Sequence, residues 1–283
     1  MYETIEAFVG FSRRDSEPKT SDEIAVPGYP DNRVALQRCR IHDGRGPATP
    51  ALDREGFTLM QHKSAFAKER DRRILIKDYN DEMARFIRDQ TRAALVVPSR
   101  AGLLVRYGER LVGRKPHDGR FDIIDDRIPA SFAHVDFLSD AVHDQVGVEA
   151  RNEGHESVEY SRMVIIQTWR AVSEPPQDVP LAICDCRTLE DADISPRMGV
   201  LSPENSATLP SPIFYVGGIH FNPRQKWYYY PAMRADEVLV FTGFDTANPT
   251  GAKVAHAAFD NRHTHPDALP RESIEARFYV YYR

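Results

Sequence analysis

The sequence predicts a mainly β protein with flanking helices, built as a jelly-roll, cupin-like barrel. Three observations carry this. Short apolar and aromatic runs, separated by Pro, Gly and Asn turns, crowd the later part of the chain at 162–170, 180–185, 212–219, 226–231, 237–244 and 274–282. Helical spacing is confined to the earlier part, where helices can support a sheet from outside. The run 162–170 (RMVIIQTWR) is apolar on both faces, as a strand buried in a double-layered barrel requires.

Taken in order, residues 12–33 are polar and punctuated by Pro18, Pro27, Gly28 and Pro30. The stretch 1–33 is therefore expected to form an N-terminal arm on a single domain spanning 1–283. A strand is expected at 33–41, then a Gly/Pro loop at 43–50, then a turn and short strand at 52–59 (LDREGFTL). From Asp78 to Ala94 the apolar positions Met83, Phe86, Ile87 and Ala94 recur at helical spacing, with acids first and Arg later. That pattern suits an amphipathic helix packed on the outside of a sheet. Residues 101–106 read as a strand, 107–128 as a loop, and 139–153 as a second helix.

Bulk properties exclude several classes. A net charge of −5 argues against a nucleic-acid polyanion as partner. No apolar run reaches about 18 residues, so no transmembrane helix is expected. The N-terminus lacks the basic and apolar regions of a signal peptide. The three Cys (Cys39, Cys184, Cys186) offer no zinc spacing, and Cys184 and Cys186 are too close for an ordinary disulfide. A cytoplasmic, reduced protein acting on a small molecule is expected, with a homodimer as a possible assembly.

Chemistry concentrates at His134-Val135-Asp136. In a strand, residues two apart share a face, so an imidazole and a carboxylate there can hold adjacent corners of one metal ion. A second imidazole from a distant strand completes a 2-His-1-carboxylate triad with open positions, the arrangement of non-haem Fe(II) oxygenases. Four His compete for that third place. His256 follows the strand-like DEVLVFTGFD and lies among small residues (AHAAF), which leave room for a metal. The rivals are His220, His263 and His265, the last two in a polar loop ending at Pro266. His143 and His155 read as surface residues beside the second helix. Further on, Arg271 and Ser273 share one strand face, where a guanidinium and a hydroxyl can grip a carboxylate. HxD, a distant His and then RxS is the order of Fe(II)/2-oxoglutarate dioxygenases.

A wider resemblance supports this order. The stretches LDREGFTL (52–59), YNDE (79–82), QTWR (167–170), PLAICD (180–185), KWYYYPAM (226–233) and DEVL (236–239) are quoted from the present sequence. Together they resemble the hydroxylase/desaturase family of fungal and actinobacterial secondary metabolism, which includes aspergillic acid hydroxylase, gibberellin desaturase and the cephamycin hydroxylase component. The resemblance runs from about residue 34 to 283. It implies a double-stranded β-helix, Fe(II), 2-oxoglutarate and O2. By matching motif it implies His134, Asp136 and His256 as metal ligands and catalytic residues, and Arg271 with Ser273 as the cosubstrate anchor. Gln167 stands where the family often shows Asn, and Ala171 where Pro usually follows the WR pair.

Around this core, Gln167 and Arg170 are expected near the cosubstrate, with Arg162, Trp227 and Tyr229 on the substrate pocket. Arg162 and Arg170 end one otherwise apolar strand face, and an Arg buried there needs an anionic partner. A ligand carboxylate would supply it, suggesting an amino-acid- or peptide-derived substrate; a protein acid such as Asp185 or Glu174 is the alternative. The expected reaction is oxidation of an unactivated C–H bond by hydroxylation, desaturation or ring closure. Two other classes stay open: a metal-dependent oxygenase without 2-oxoglutarate, and a non-catalytic β-barrel binding module.

Overall fold

A computed structural model describes residues 4–14, 34–106, 132–138, 142–155, 158–200, 213–249 and 251–283. The first strands are β1 (Thr4–Ser12), β2 (Val34–Asp43) and β3 (Phe57–Gln61). A helical turn, α1 (Arg72–Ile74), and a π-helical turn at Leu75–Tyr79 lead into α2 (Asn80–Thr91). Then come β4 (Leu95–Arg106), β5 (His134–Val135), α3 (Val142–Asn152), β6 (Arg162–Ala171) and β7 (Leu181–Cys184). The remaining strands are β8 (Ile194–Val200), β9 (Ile213–Ile219), β10 (Trp227–Tyr229), β11 (Glu237–Asp245), β12 (His256–Ala258) and β13 (Ser273–Tyr282).

Two sheets face each other. One has eight strands in the order β1-β2-β10-β7-β12-β5-β9-β8, the other five in the order β3-β11-β6-β13-β4. The larger sheet curls so far that the N-H of Ala133, just ahead of β5, donates to Gly10 O of the first strand at 2.7 Å. The result is a nearly closed, barrel-like roll, as expected for a jelly roll.

The strand expected at 162–170 is the central strand of the five-stranded sheet, and its two faces meet different layers. Gln167 and Trp169 face the space between the sheets, while Met163 and Ile165 on the same face pack against Phe137 and the α3 residues Val142 and Val146. Val164 and Ile166 face Leu75, Met83, Ile87, Phe278 and Val280 on the helical side. α2 is amphipathic as expected, with Asp81 and Glu82 in its first turn and Met83 and Ile87 one turn apart on the buried face. It ends at Arg92, which takes the left-handed conformation (φ 54°).

One local expectation shifts at the N-terminus. Thr4–Ser12, assigned to the arm, is a strand paired with β2 along its whole length, because Val9 and Phe11 alternate into the core. The rest of that arm from residue 15, and the loop expected at 107–128, lie outside the described residues. In the motif LDREGF, Gly56 has a positive φ of 85°, and a Cβ there would come within 2.6 Å of Val254. Only glycine fits that turn without strain.

Candidate metal and cosubstrate site

β5 holds two residues, His134 and Val135, and turns out at Asp136. β12 is the neighbour of β5, and its register places His256 directly opposite His134. Directly opposed residues put their side chains on one face, so an imidazole 122 positions away arrives beside the HxD pair. The two rings lie 4.4 Å apart between centroids. His134, Asp136 and His256 bring one ligand atom each within 4.8 Å of one another.

The atoms point the right way for a cation. His134 Nδ1 sits 2.9 Å from Phe132 O, and His256 Nδ1 3.3 Å from Val254 O. Each Nδ1–H donates to its carbonyl, leaving the Nε2 lone pairs free. Both Nε2 atoms turn to one carboxylate oxygen, Asp136 Oδ1, at 3.4 and 3.8 Å. Burial, and then the charge of His134 beside it, push His256 down to about 4, so it stays a neutral ligand at ordinary pH. Burial would raise Asp136, but the Arg277 guanidinium and the two imidazoles hold it well below the usual carboxylate range. Two imidazole Nε2 atoms turned to one ionised carboxylate are the donor set of a facial triad. His143 is exposed and packs edge-on to Phe244 at 5.9 Å, and His220 Nδ1 lies 2.7 Å from Ser12 O; neither joins the cluster.

A small cavity adjoins His256 and is lined by Gln167, Trp169, Leu181, Phe241, Glu275 and Arg277. Alternation along β13 and the residues just before it points Arg271, Ser273, Glu275 and Arg277 inward together. Arg271 is 2% exposed; its Nη1 donates to Val179 O at 3.3 Å, while Glu275 Oε1 stands 4.0 Å from Nη2. Its Nε has no hydrogen-bond partner among the described residues, and neither do Ser273 Oγ and Trp169 Nε1. Burial accordingly pushes the guanidinium down to about 9. A buried guanidinium Nε–H, a buried hydroxyl and a buried indole N–H left unpartnered together fit an incoming carboxylate. Glu275, whose ionised form is favoured by Arg106, Arg271 and Arg277 against the cost of burial, balances part of the positive charge.

Other expected residues turn elsewhere. Gln167 reaches the site, but its Nε2 donates to Asp136 Oδ2 at 2.8 Å. Arg170 lies on the helical side of β6, away from the cavity, and donates to His62 O and Ala235 O at 2.7 Å each and to Tyr79 OH at 3.2 Å. Its placement near the cosubstrate is therefore corrected. So is the carboxylate expected of it, since carbonyl oxygens can satisfy a guanidinium as well as an acid. Arg162 pairs with Asp245 at 2.9 Å at the sheet end and does not reach the pocket. With both guanidiniums occupied inside the protein, neither is left to receive a substrate carboxylate. Trp227 and Tyr229 pack with Phe11 and Phe259 in the core on the far face of the larger sheet. The alternation was read one residue out of phase: Tyr228 and Tyr230 pack with Trp169 and Phe241 between the sheets.

Arg170→Met is expected to lower stability by about 3 kcal/mol, because it strands buried carbonyls, with no change in 2-oxoglutarate affinity. Denaturant unfolding and a cosubstrate titration check both halves.

One functional residue escaped the sequence reading. Arg277 is 14% exposed at its side chain and donates through Nε to Asp136 Oδ2 at 2.9 Å and through Nη2 to the same oxygen. The signal was available: Arg277 lies on the same period-two face as Arg271 and Ser273.

Comparisons with known proteins bear on the family and the fold. A family model described as "YDMC: Oxidoreductase/YMDC permease-like domain" matches residues 11–281. Among the described residues, no helix is long and apolar enough to cross a membrane. The alpha-ketoglutarate-dependent dioxygenase phiK, from a fungal species (strain ATCC 74256), is 26% identical over 280 residues, 98% of this chain and 95% of the relative. Hydroxylase/desaturase efuI from Hormonema carpetanum is 28% identical over 266 residues, 90% of this chain and 85% of the relative. A solved structure of the iron and alpha-ketoglutarate-dependent endoperoxidase NvfI superposes with a TM-score of 0.73 at 25% identity, covering 98% of this chain and 97% of that one. The family model spans nearly the whole chain, and phiK and efuI match 90% or more of it; the chain belongs to this oxidoreductase family, and those relatives are named as an alpha-ketoglutarate-dependent dioxygenase and a hydroxylase/desaturase.

Proposed function

We propose that this chain binds Fe(II) through His134, Asp136 and His256, anchors 2-oxoglutarate on Arg271 and Ser273, and oxidises a C–H bond of a small secondary-metabolite substrate by hydroxylation, desaturation or ring closure. The observation that carries the reading is the convergence of two free Nε2 atoms on Asp136 Oδ1 at 3.4 and 3.8 Å, beside a cavity lined by Trp169, over whose ring the under-satisfied Arg271 lies at 5.5 Å. When bound, the iron and the oxoacid supply, with O2, the oxidant for C–H cleavage, with succinate and CO2 as coproducts. The chain supplies placement. Arg271 and Ser273 fix the far carboxylate of the oxoacid, which sets where its other end meets the metal. Trp169, Leu181 and Phe241 give that space apolar walls, which keep water from the reacting atoms.

Adding Fe(II) and 2-oxoglutarate to the protein without oxygen is expected to give a weak visible charge-transfer band. Admitting oxygen with a turned-over substrate is expected to yield succinate. Turnover without succinate would instead favour a metal oxygenase in which Arg271 holds a carboxylate of the substrate.

A further inference from the structure

A carboxylate can give a metal one oxygen or two, and the difference decides how many positions are left for other ligands. Three protein atoms on a six-coordinate ion leave three positions, two for a chelating oxoacid and one for O2. A second oxygen from Asp136 would take one of them. The surroundings of Asp136 treat its two oxygens unequally. Oδ1 faces the two imidazole Nε2 atoms. Oδ2 receives Arg277 Nε at 2.9 Å, Arg277 Nη2, and Gln167 Nε2 at 2.8 Å. Three donors saturate the lone pairs of one carboxylate oxygen.

The fold makes room for these donors in two ways. Between Ser99 and Leu104, β4 bulges: residues 100–103 lie opposite the single residue Ala276 of β13. The bulge carries Gly102, whose carbonyl accepts Arg277 Nη1 at 2.6 Å. A Cβ on Gly102 would stand 2.7 Å from Ser99 Oγ and 3.3 Å from Arg277 Cδ, so glycine keeps the guanidinium stem in place. On the other side, β11 carries an extra residue, Gly243, between Thr242 and Phe244. A Cβ there would overlap Gln167 Oε1 and stand 2.9 Å from the Phe137 ring. Bulges re-aim side chains at sites of function, and here each one serves a donor to the same oxygen.

We propose that Arg277, assisted by Gln167, is the positioning residue that holds Asp136 as a one-oxygen ligand, keeping open the metal position that a second carboxylate oxygen would take. This rests on the ligand assignment proposed above, and the experiment separates the two. The full chain is stripped of metal and titrated with Co(II), and the Co(II)-loaded protein is then titrated with 2-oxoglutarate. Removing an outer partner of a metal ligand is expected to weaken metal binding roughly 10–100-fold, so Arg277→Met should weaken Co(II) by that range. At saturating Co(II) the same variant should also bind 2-oxoglutarate about tenfold more weakly, as Asp136 Oδ2 competes for the chelate position. Arg277→Lys keeps the charge but not the two-pronged hold; it should recover thermal stability without recovering 2-oxoglutarate affinity. Gln167→Leu and Gly243→Ala should move in the same direction by smaller amounts, and they carry the test if Arg277→Met does not fold. The positioning role is overturned if the loaded variants bind 2-oxoglutarate within about twofold of wild type, or if Arg277→Lys restores affinity in full. If wild type takes up no Co(II), or His134→Ala takes it up equally well, the ligand assignment is what fails.

Discussion

His134→Ala, Asp136→Ala and His256→Ala are each expected to reduce succinate formation to background, while His143→Ala and His265→Ala leave it unchanged. A facial triad has no spare protein ligand, so losing one donor leaves two, too few to hold the ion in place. The structure sharpens the case for His256, whose strand pairs with that of His134 and whose Nε2 faces the same aspartate oxygen at 3.8 Å. His143 is exposed and packs against Phe244 instead. The measurements are succinate release and anaerobic Fe(II) uptake. Full activity in the His256 variant would remove that residue from the ligand set, and loss in the His265 variant would put that one in its place.

Arg271→Lys is expected to raise the dissociation constant for 2-oxoglutarate by one to two decades, or about 1.5–3 kcal/mol for one lost charge-assisted contact. An ammonium cannot reproduce the two-pronged grip on a carboxylate. Arg271 is almost wholly buried, with its Nε unpartnered, so its charge is poorly compensated before the oxoacid arrives. The sign follows from its lowered value of about 9. Lowering a cation's value below the unfolded one costs stability as pH falls from the unfolded value to the folded one; below that, the full cost remains. At neutral pH the whole cost is present, and a bound carboxylate offsets it. Adding 2-oxoglutarate at a hundredfold excess over its dissociation constant should stabilise wild type by about 2.7 kcal/mol. At roughly 2–4 °C per kcal/mol, that is a readily measured shift in Tm. At the same concentration the lysine variant, one to two decades weaker, should be stabilised by only about 0.4–1.4 kcal/mol. Equal dissociation constants for the two proteins would be incompatible with Arg271 as the anchor.

The sequence alone determined most of the elements that form and the kinds of residue that carry the chemistry. Strand alternation, the helical spacing at Met83 and Ile87, and turn residues between short strands are local properties, and they held to within a few residues for most of the later strands. The short-range pairs, His134 with Asp136 and Arg271 with Ser273, were legible for the same reason: a period of two fixes a shared face without knowledge of the fold. Only the tertiary structure decided which face looks inward and which distant residues meet. For 162–170 both faces are apolar, so periodicity could not say that Gln167 and Trp169 face the cavity while Arg170 faces the helices; the neighbouring layers decide it. The run at 226–230 is aromatic at four of its five positions, and there the wrong pair was turned inward. A strand such as His256–Ala258 is too short to announce itself, and its place between β5 and β7 is set by long-range pairing. Arg277 shows the limit most clearly. Its spacing put it on the face of Arg271, but its role depends on Asp136, 141 positions earlier, and only folding brings a guanidinium to that oxygen.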